Sequence, residues 1–264
     1  MSEGGGPDQR RPSDATLVVN GLRCTFGGVH AVDGATFAVQ RGEITGLIGP
    51  NGAGKSTVVG CISGSIRPQN GSVLFEGREI RGLSPHQVAN LGVIRTFQRS
   101  TQFSGMTVLE NMLAGCRGLR GDSMSVILHG KRYWRGEQDR AVRRARQLLE
   151  WFDLREKEDD LAGSLSGGQA RLLELARALM AMPTILILDE PLAGVSPALA
   201  RRIVGRLKHL GANGMTILVV EHNLPLVEEL CSTVVVMALG KVIASGRMGD
   251  LRQQQEVVDA YLAG

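Results

Sequence analysis

The chain has 264 residues, 43% of them hydrophobic and 21% charged, which is an ordinary composition for a soluble α/β protein. It is long enough to bury a large core and lies near the upper size limit for one domain. The net charge of +4 fits a phosphate ligand or an anionic membrane surface and does not require nucleic acid. The four cysteines show no CxxC spacing, so neither a zinc site nor a redox motif is indicated. A reduced, cytosolic chain is the simplest interpretation.

Residues 1–14 are rich in glycine, proline and charge and contain no apolar stretch. This composition predicts a disordered tail and not a signal peptide. The longest apolar runs, such as Ile185–Leu188, are far too short to cross a bilayer, which takes about 20 residues. We therefore expect any role at a membrane to depend on partner subunits.

Patterns in the N-terminal half predict an antiparallel β region around a strand–loop–helix unit. Short β-like runs occupy 16–26 and 35–48, and glycines interrupt them. The second run meets a glycine-rich loop, and Lys55–Ser63 is the predicted helix after that loop. A small antiparallel pair is predicted to begin at Ser72–Phe75.

A helical insertion is predicted over 107–163, because apolar residues recur at helical spacing between Gly136 and Phe152. The arginines on the rest of that helix suit either a nucleic-acid surface or a solvated helix face, and the charge pattern favours the solvated face. A second strong helical pattern covers Ser166–Met182 and ends before Pro183.

Three short and fully apolar runs in the C-terminal half predict buried parallel strands, at Thr184–Leu188, Thr216–Val220 and Thr233–Met237. Charged residues follow the first two runs, at the edge where α/β sheets bind ligands. The predicted fold class is therefore α/β, with a mostly parallel core sheet, an antiparallel N-terminal β region and a helical subdomain inserted at about 107–182.

A phosphate-binding loop is the strongest motif, since it fits G-x-x-x-x-G-K-[ST] and lies between a predicted strand and a predicted helix. Its glycines let backbone N–H groups curl around phosphate oxygens, and the helix N-terminus adds partial positive charge. Lys55 supplies a point charge to the β- and γ-phosphates, and the Ser56 hydroxyl can ligate Mg²⁺. The alternative is a glycine-rich turn that happens to precede a lysine, which this context disfavours. The loop consists of Gly49, Pro50, Asn51, Gly52, Ala53, Gly54, Lys55 and Ser56.

Two acids end the apolar run at 185–188, where a buried strand would deliver them beside the phosphate loop. Asp189 is expected to hold Mg²⁺ through water, as a Walker B acid does. Glu190 is expected to orient or deprotonate the attacking water. The alternative is a strand that ends in a solvated turn, and the pairing with the phosphate loop argues against it.

A pentapeptide with the sequence LSGGQ, Leu165–Gln169, opens the predicted helix at Ser166. Ser166 suits an N-cap, and Gly167 and Gly168 allow a close backbone approach to a phosphate. An ordinary N-cap explains the serine but not the whole pentapeptide shortly before a Walker B strand.

With these motifs, residues 16–264 resemble the ATP-binding-cassette (ABC) ATPases, and the pentapeptide is similar to that family's signature. The resemblance implies a P-loop NTPase cassette with ATP and Mg²⁺ as cofactors. It also implies two cassettes arranged head to tail, with ATP between the phosphate loop of one and the signature of the other. The residues expected to bind nucleotide are the phosphate loop with Thr57, and Ser166, Gly167, Gly168 and Gln169.

Three isolated residues gain roles only through the resemblance. Phe26 lies where an aromatic usually stacks on adenine, although a core aromatic is the ordinary alternative. Gln98 matches the glutamine that reaches Mg²⁺ and the water and that links to the membrane subunit. His222 matches the switch histidine that contacts the γ-phosphate. The expected catalytic residues are Lys55, Gln98, Glu190 and His222, and the expected metal-site residues are Ser56, Gln98 and Asp189.

One position departs from the family pattern. Many members carry an acid where Ser196 stands, in the loop after the Walker B strand. That acid helps to connect the two sites across the dimer, so the strength of site-to-site coupling is open in this chain.

Several segments resemble the ATPases of branched-chain amino acid importers, including Ile94–Gln98, Met106–Asn111, Ala193–Pro197 and the ending Val257–Leu262. Importers of urea or amides share this pattern, and an exporter subunit or a soluble cassette acting on DNA or ribosomes are further alternatives. The absence of a second cassette and of heptads disfavours the soluble class, and the signature disfavours a GTPase-like switch.

The partners implied are a second ABC ATPase, transmembrane permease subunits and, indirectly, an extracytoplasmic solute-binding protein, with no nucleic acid. The implied location is the cytoplasmic face of the plasma (inner) membrane, as a peripheral subunit. The segment Gln98–Asn111 is expected to form the groove for a permease helix, with Phe103, Met106, Val108 and Leu109 as its apolar residues. A loop followed by a core-packed helix is the alternative.

Overall fold

A computed structural model of the chain describes residues 15–96, 102–117 and 125–262. Within these ranges two β-sheets and a layer of helices pack around apolar cores. The strands are β1 (Ala15–Phe26), β2 (Val29–Gln40), β3 (Ile44–Ile48), β4 (Asn70–Phe75), β5 (Arg78–Glu79), β6 (Val93–Arg95), β7 (Ile185–Asp189), β8 (Thr216–Val220), β9 (Thr233–Ala238) and β10 (Lys241–Gly246). The α-helices are α1 (Lys55–Ile62), α2 (Pro85–Leu91), α3 (Val108–Ala114), α4 (Ser125–Trp151), α5 (Gly167–Met180), α6 (Pro197–Ala212), α7 (Leu224–Leu230), α8 (Met248–Leu251) and α9 (Gln255–Leu262).

The six-stranded sheet has the order β10-β9-β3-β8-β7-β6, and its strands are parallel except β10, which pairs antiparallel with β9. The four-stranded sheet has the order β2-β1-β4-β5 and is antiparallel throughout. The mostly parallel core sheet and the antiparallel N-terminal region confirm the predicted fold class.

The parallel strands are apolar over most of their length because both faces of this sheet are covered. In β7, Ile185 and Ile187 pack with α1 and the antiparallel sheet on one side. Leu186 and Leu188 face the opposite way and pack with the helices of the 108–180 region. Side chains that alternate between two buried faces explain the continuous apolar pattern of the sequence.

Glycines in the first two strands are turns and bulges and do not end the strands. Gly27 and Gly28 both have positive φ, and they form the two-residue hairpin turn between Phe26 and Val29. Gly34 also has positive φ and lies where the register between the strands shifts. The second strand therefore begins at Val29 and not at residue 35, since a bulge lets pairing continue past the glycine.

Helices α3, α4 and α5 share one core, to which they contribute Met112, Leu149 and Leu173 among other residues. Helix α4 begins at Ser125, eleven residues before the periodic apolar stretch that starts at Gly136, because such a pattern marks a packed face and not a helix limit. Helix α5 ends at Met180, and Met182 takes a positive φ before Pro183. The division into a subdomain at 107–182 stays a prediction, and the predicted 1–14 tail lies outside the described residues.

The described residues include no helix with the length and apolar character that a bilayer span requires.

A core truncation in α4 tests this packing. Leu149 has no exposed surface, so Leu149→Ala is expected to lower the free energy of unfolding by about 2–5 kcal/mol. The neighbouring exposed Glu150 provides the control, and Glu150→Ala should change the free energy little. Urea unfolding of both variants measures the difference, and equal losses would contradict the packing.

Candidate nucleotide site

The phosphate loop lies between β3 and α1, and β3 is an inner strand of the parallel sheet between β9 and β8. Residues 49–54 therefore leave the sheet at its carboxyl edge, where open α/β sheets bind ligands. Helix α1 begins after Gly54, which is left-handed and provides no side-chain cap. Its first backbone N–H groups thus have no capping side chain, and the helix dipole favours an anion there.

Two glycines of the loop are required by contact as well as by conformation. A Cβ at Gly49 would lie 2.1 Å from the carbonyl oxygen of Met237, and φ at Gly49 is +148°. A Cβ at Gly54 would lie 2.3 Å from the carbonyl oxygen of Ala31, with φ at +97°. The loop is wedged against two strands, which fixes its path.

Lys55 is buried at the base of the loop, and its Nζ donates to the carbonyl oxygens of Gly49 and Pro50 at 2.7 and 2.9 Å. Burial lowers the pKa of Lys55, while the negative charges of Glu190 and Asp189 oppose that shift. The ammonium is therefore held in place over the loop, with two carboxylates close enough to affect it.

Asp189 ends β7 and is buried, and its Oδ2 accepts from Nη2 of Arg95 at 2.7 Å. Its Oδ1 has no hydrogen-bond partner among the described residues. A buried carboxylate oxygen without a donor suits a hard cation, so this carboxylate fits Mg²⁺ bound directly or through water. Ser56, in the first turn of α1, is exposed at the N-terminal end of the helix.

Glu190 follows immediately, with a positive φ of 49° that is uncommon for a residue with a side chain. Its side chain is 29% exposed, and its Oε1 lies 3.9 Å from Nδ1 of His222. The carboxylate is thus accessible from solvent, as an acceptor for a water proton needs to be.

His222 follows β8, the strand beside β7, and its side chain is 63% exposed. Glu221 precedes it and is buried, accepting from the backbone N–H of Leu192 at 3.1 Å. Burial raises the pKa of Glu221 above its usual value, and backbone donors oppose the shift. Glu221 therefore braces the turn that follows Glu190.

The signature pentapeptide lies at the start of α5. Ser166 and Gln169 form a reciprocal capping box, with the Gln169 N–H donating to Ser166 Oγ and the Ser166 N–H donating to Gln169 Oε1. The ordinary N-cap interpretation therefore accounts for the serine. Ser166 and Gly167 are also exposed, so the start of the helix is accessible to a ligand. Within the described ranges, no hydrogen bond or ion pair joins this pentapeptide to the phosphate loop.

Phe26 ends β1 at the hairpin turn and is 51% exposed, so the core alternative for this aromatic is wrong. Gln98 lies outside the described residues, and its expected role at the metal stays a prediction.

Sequence reasoning gave no role to two arginines, the partly buried Arg95 and the buried Arg171. Arg95 ends β6 and pairs with Asp189, and Arg171 in α5 donates to the carbonyl oxygens of Glu190 and Pro191. The only sequence signal for Arg95 was its place in the segment Ile94–Gln98, which resembles the importer ATPases. Arg171 had no such signal, because only tertiary packing brings it to the Walker B turn.

Comparisons with known proteins agree with this geometry. The family model described as ABC transporter matches residues 32–193, more than half of the chain. The chain belongs to the ABC transporter family. It is an ATP-binding, ATP-hydrolysing cassette of that family, and the matched range ends before His222.

Several curated ABC proteins are similar over nearly the whole chain. A probable branched-chain amino acid transport ATP-binding protein of Archaeoglobus fulgidus is 40% identical, over 93% of this chain and 95% of that protein. A high-affinity branched-chain amino acid transport ATP-binding protein of Pseudomonas aeruginosa is 37% identical, over 93% and 97%. A crystal structure of an ABC-transporter cassette in its ADP conformation is 36% identical with a TM-score of 0.82, covering 95% of this chain and 99% of that one.

A matched pair of glycines tests the wedged loop. Gly49→Ala places a methyl group against the Met237 carbonyl and is expected to cost about 1–3 kcal/mol of overpacking beyond the backbone strain. Gly52 also has a positive φ, but a Cβ there meets no atom within 4 Å, so Gly52→Ala carries only the strain. Urea unfolding without nucleotide compares them. Equal stability of the two variants would contradict the close contact.

Proposed function

We propose that this chain is the ATP-hydrolysing subunit of an ABC importer that takes up branched-chain amino acids. The observation that carries the proposal is the 37–40% identity, over more than nine tenths of the chain, to proteins named for branched-chain amino acid transport. The segments Ile94–Gln98 and Ala193–Pro197, which resemble the ATPases of branched-chain amino acid importers, support the same proposal.

The proposed chemistry assigns each site residue a task. Residues 49–57 bind the phosphates through backbone N–H groups, and Lys55 exchanges its two carbonyl partners for phosphate oxygens. Ser56, Asp189 and Gln98 would hold Mg²⁺, which neutralises charge on the phosphates when bound. Glu190 accepts a proton from the attacking water, and His222 donates to the γ-phosphate.

The signature is proposed to serve the site of a second ABC ATPase. Ser166 and Gly167 are exposed at the N-terminus of α5, where backbone N–H groups favour an anion. A site that lacks these donors loses part of its electrostatic stabilisation of the transition state. We therefore expect the isolated chain to hydrolyse ATP slowly until two cassettes associate.

A permease helix is proposed to bind beside the loop 102–107. Phe103, Met106 and Leu161 are exposed apolar residues, and backbone bonds join the segments that carry them. Asn111 is fully buried and bonds to Phe103 and to the carbonyl of Met106, which shapes this loop. The earlier inclusion of Val108 in the groove is wrong, because this side chain packs in the core.

Ser196 has a structural role that an acid would also fill. Its side chain caps α6 by accepting from the N–H of Leu199 at 3.3 Å. Aspartate and serine are equally good N-caps, so a serine at position 196 in place of the family's acid preserves the start of the helix. We propose that it removes a negative charge from the loop that faces the second cassette.

Solute-stimulated hydrolysis tests the proposed function. The chain would be assembled in liposomes with the permease and binding-protein products of its neighbouring genes. Leucine, isoleucine or valine is expected to raise ATP hydrolysis several-fold and to drive uptake. Lys55→Ala should abolish both, since the ammonium no longer neutralises the transferring phosphoryl group. Lys208→Ala, which removes an exposed lysine paired with Glu229, is the matched control with normal activity.

The alternatives give different results in the same assay. Stimulation by urea or amides but not by leucine would assign another solute, and stimulation without any binding protein would favour an exporter. Full activity of Lys55→Ala would contradict the assignment of the nucleotide site itself.

A charge in the proposed groove tests the permease contact. Phe103 is 50% exposed, so Phe103→Asp should leave folding and ATP binding intact while blocking co-purification with the permease. Val29→Asp is the control, because Val29 is also exposed, at 69%, but lies on the hairpin of the antiparallel sheet. Normal assembly of Phe103→Asp would overturn the groove.

A further inference from the structure

Arg171 links the signature helix to the turn that carries Glu190. It lies in the second turn of α5 and is almost completely buried. Its Nη2 donates to the Glu190 carbonyl oxygen at 2.6 Å, and its Nε donates to the Pro191 carbonyl oxygen at 3.0 Å. Its Nη1 donates to Oε2 of Glu174, one turn further along the same helix, at 2.6 Å.

The turn that Arg171 contacts is held in an uncommon conformation. A positive φ at a residue such as Glu190 costs about 1–3 kcal/mol and persists only where neighbours fix it. The Glu190 N–H donates to the Val220 carbonyl at 2.9 Å, and the Leu192 N–H donates to buried Glu221. These contacts anchor the turn to the end of β8, and Arg171 anchors it to α5.

The chemistry of arginine suits this task. The planar guanidinium presents several donors in fixed directions, so one side chain can hold two successive carbonyls and a carboxylate together. Glu174 is buried beside it and neutralises the charge that the carbonyls leave uncompensated. A lysine in this place has one ammonium and no fixed fork.

We propose that Arg171 is a positioning residue for Glu190, and that it makes the Walker B turn follow the position of the signature helix of the same subunit. The proposal rests on the proposed role of Glu190 as acceptor of the water proton. Ser166 begins the helix five residues before Arg171, and a capping box fixes that start. A shift of α5 caused by a ligand at its N-terminus is therefore transmitted to the carbonyls of Glu190 and Pro191.

Arg171→Lys is the first test. It keeps the charge beside Glu174 but cannot hold both carbonyls, so the single-turnover rate of ATP hydrolysis should fall about 10- to 100-fold. Affinity for a fluorescent ATP analogue should stay unchanged, because the phosphate loop is untouched. The assay uses the purified full-length chain in excess over ATP, with Mg²⁺ in excess over both. An unchanged rate overturns the proposal.

A matched control and a second measurement distinguish positioning of Glu190 by Arg171 from a purely structural role of this arginine. Arg144 donates to the carbonyl of Leu179 at the other end of α5, so Arg144→Lys removes a similar bond away from the turn and should leave the rate normal. Hydrogen exchange should speed up at the amides of Leu192 and Ala193 in Arg171→Lys only. Equal effects of the two variants on rate and exchange would show a structural role.

The variant Arg171→Met with Glu174→Leu addresses the risk of misfolding. Replacing a buried ion pair by apolar residues is often neutral for stability, whereas Arg171→Met alone leaves a buried carboxylate without its partner. The double variant should fold and bind the ATP analogue but hydrolyse ATP slowly. Normal hydrolysis by this variant would overturn the proposal.

Combination with Glu190→Gln distinguishes this inference from the function it rests on. If Arg171 acts through Glu190, Arg171→Lys should not slow the residual hydrolysis of Glu190→Gln any further. A further slowing by the same factor would mean that Arg171 acts elsewhere. Normal hydrolysis by Glu190→Gln alone would instead contradict the proposed role of Glu190.

Discussion

Four neighbouring parallel strands end at one edge of the sheet, and the site depends on this alignment. Strand β6 ends in Arg95, β7 in Asp189 and β8 before His222, while β3 leads into the phosphate loop. Their interiors are buried and mostly apolar, so charged groups occur on these strands at the edge. Parallel strand pairing therefore brings residues from distant parts of the chain side by side, and this placement does not depend on the conformation of the loops.

Charges at this edge are paired in a way that leaves one carboxylate oxygen open. Lys55 is held by two carbonyl oxygens, and Arg95 binds Oδ2 of Asp189 while Oδ1 has no donor among the described residues. Buried charges without partners are costly, so each needs such a contact before any ligand arrives. Apart from Lys55, which would exchange its carbonyl partners for phosphate oxygens, the groups are already oriented, and this reduces the reorganisation that binding requires.

The sequence was sufficient for β3, β7, β8 and β9 of the parallel sheet, because continuous apolar runs mark these strands, but not for β6, which has only three residues. It was not sufficient for β2, where Gly34 is a bulge and not a break, since only pairing with β1 reveals that. Val108 could not be assigned to core or groove, because a short apolar segment fits either. Arg171 was missed because its partners lie about twenty residues away and meet it only through packing of α5.

Phe26 stands on a hairpin of the antiparallel sheet, apart from the strands that end at the phosphate loop. A ring of this kind offers a face for stacking and no hydrogen bond to a base edge, and every nucleobase has a π-face. In the stacking role predicted for Phe26, a base would be held by shape and stacking, while the phosphates would meet many directed donors. That role would therefore contribute little to selectivity among nucleoside triphosphates.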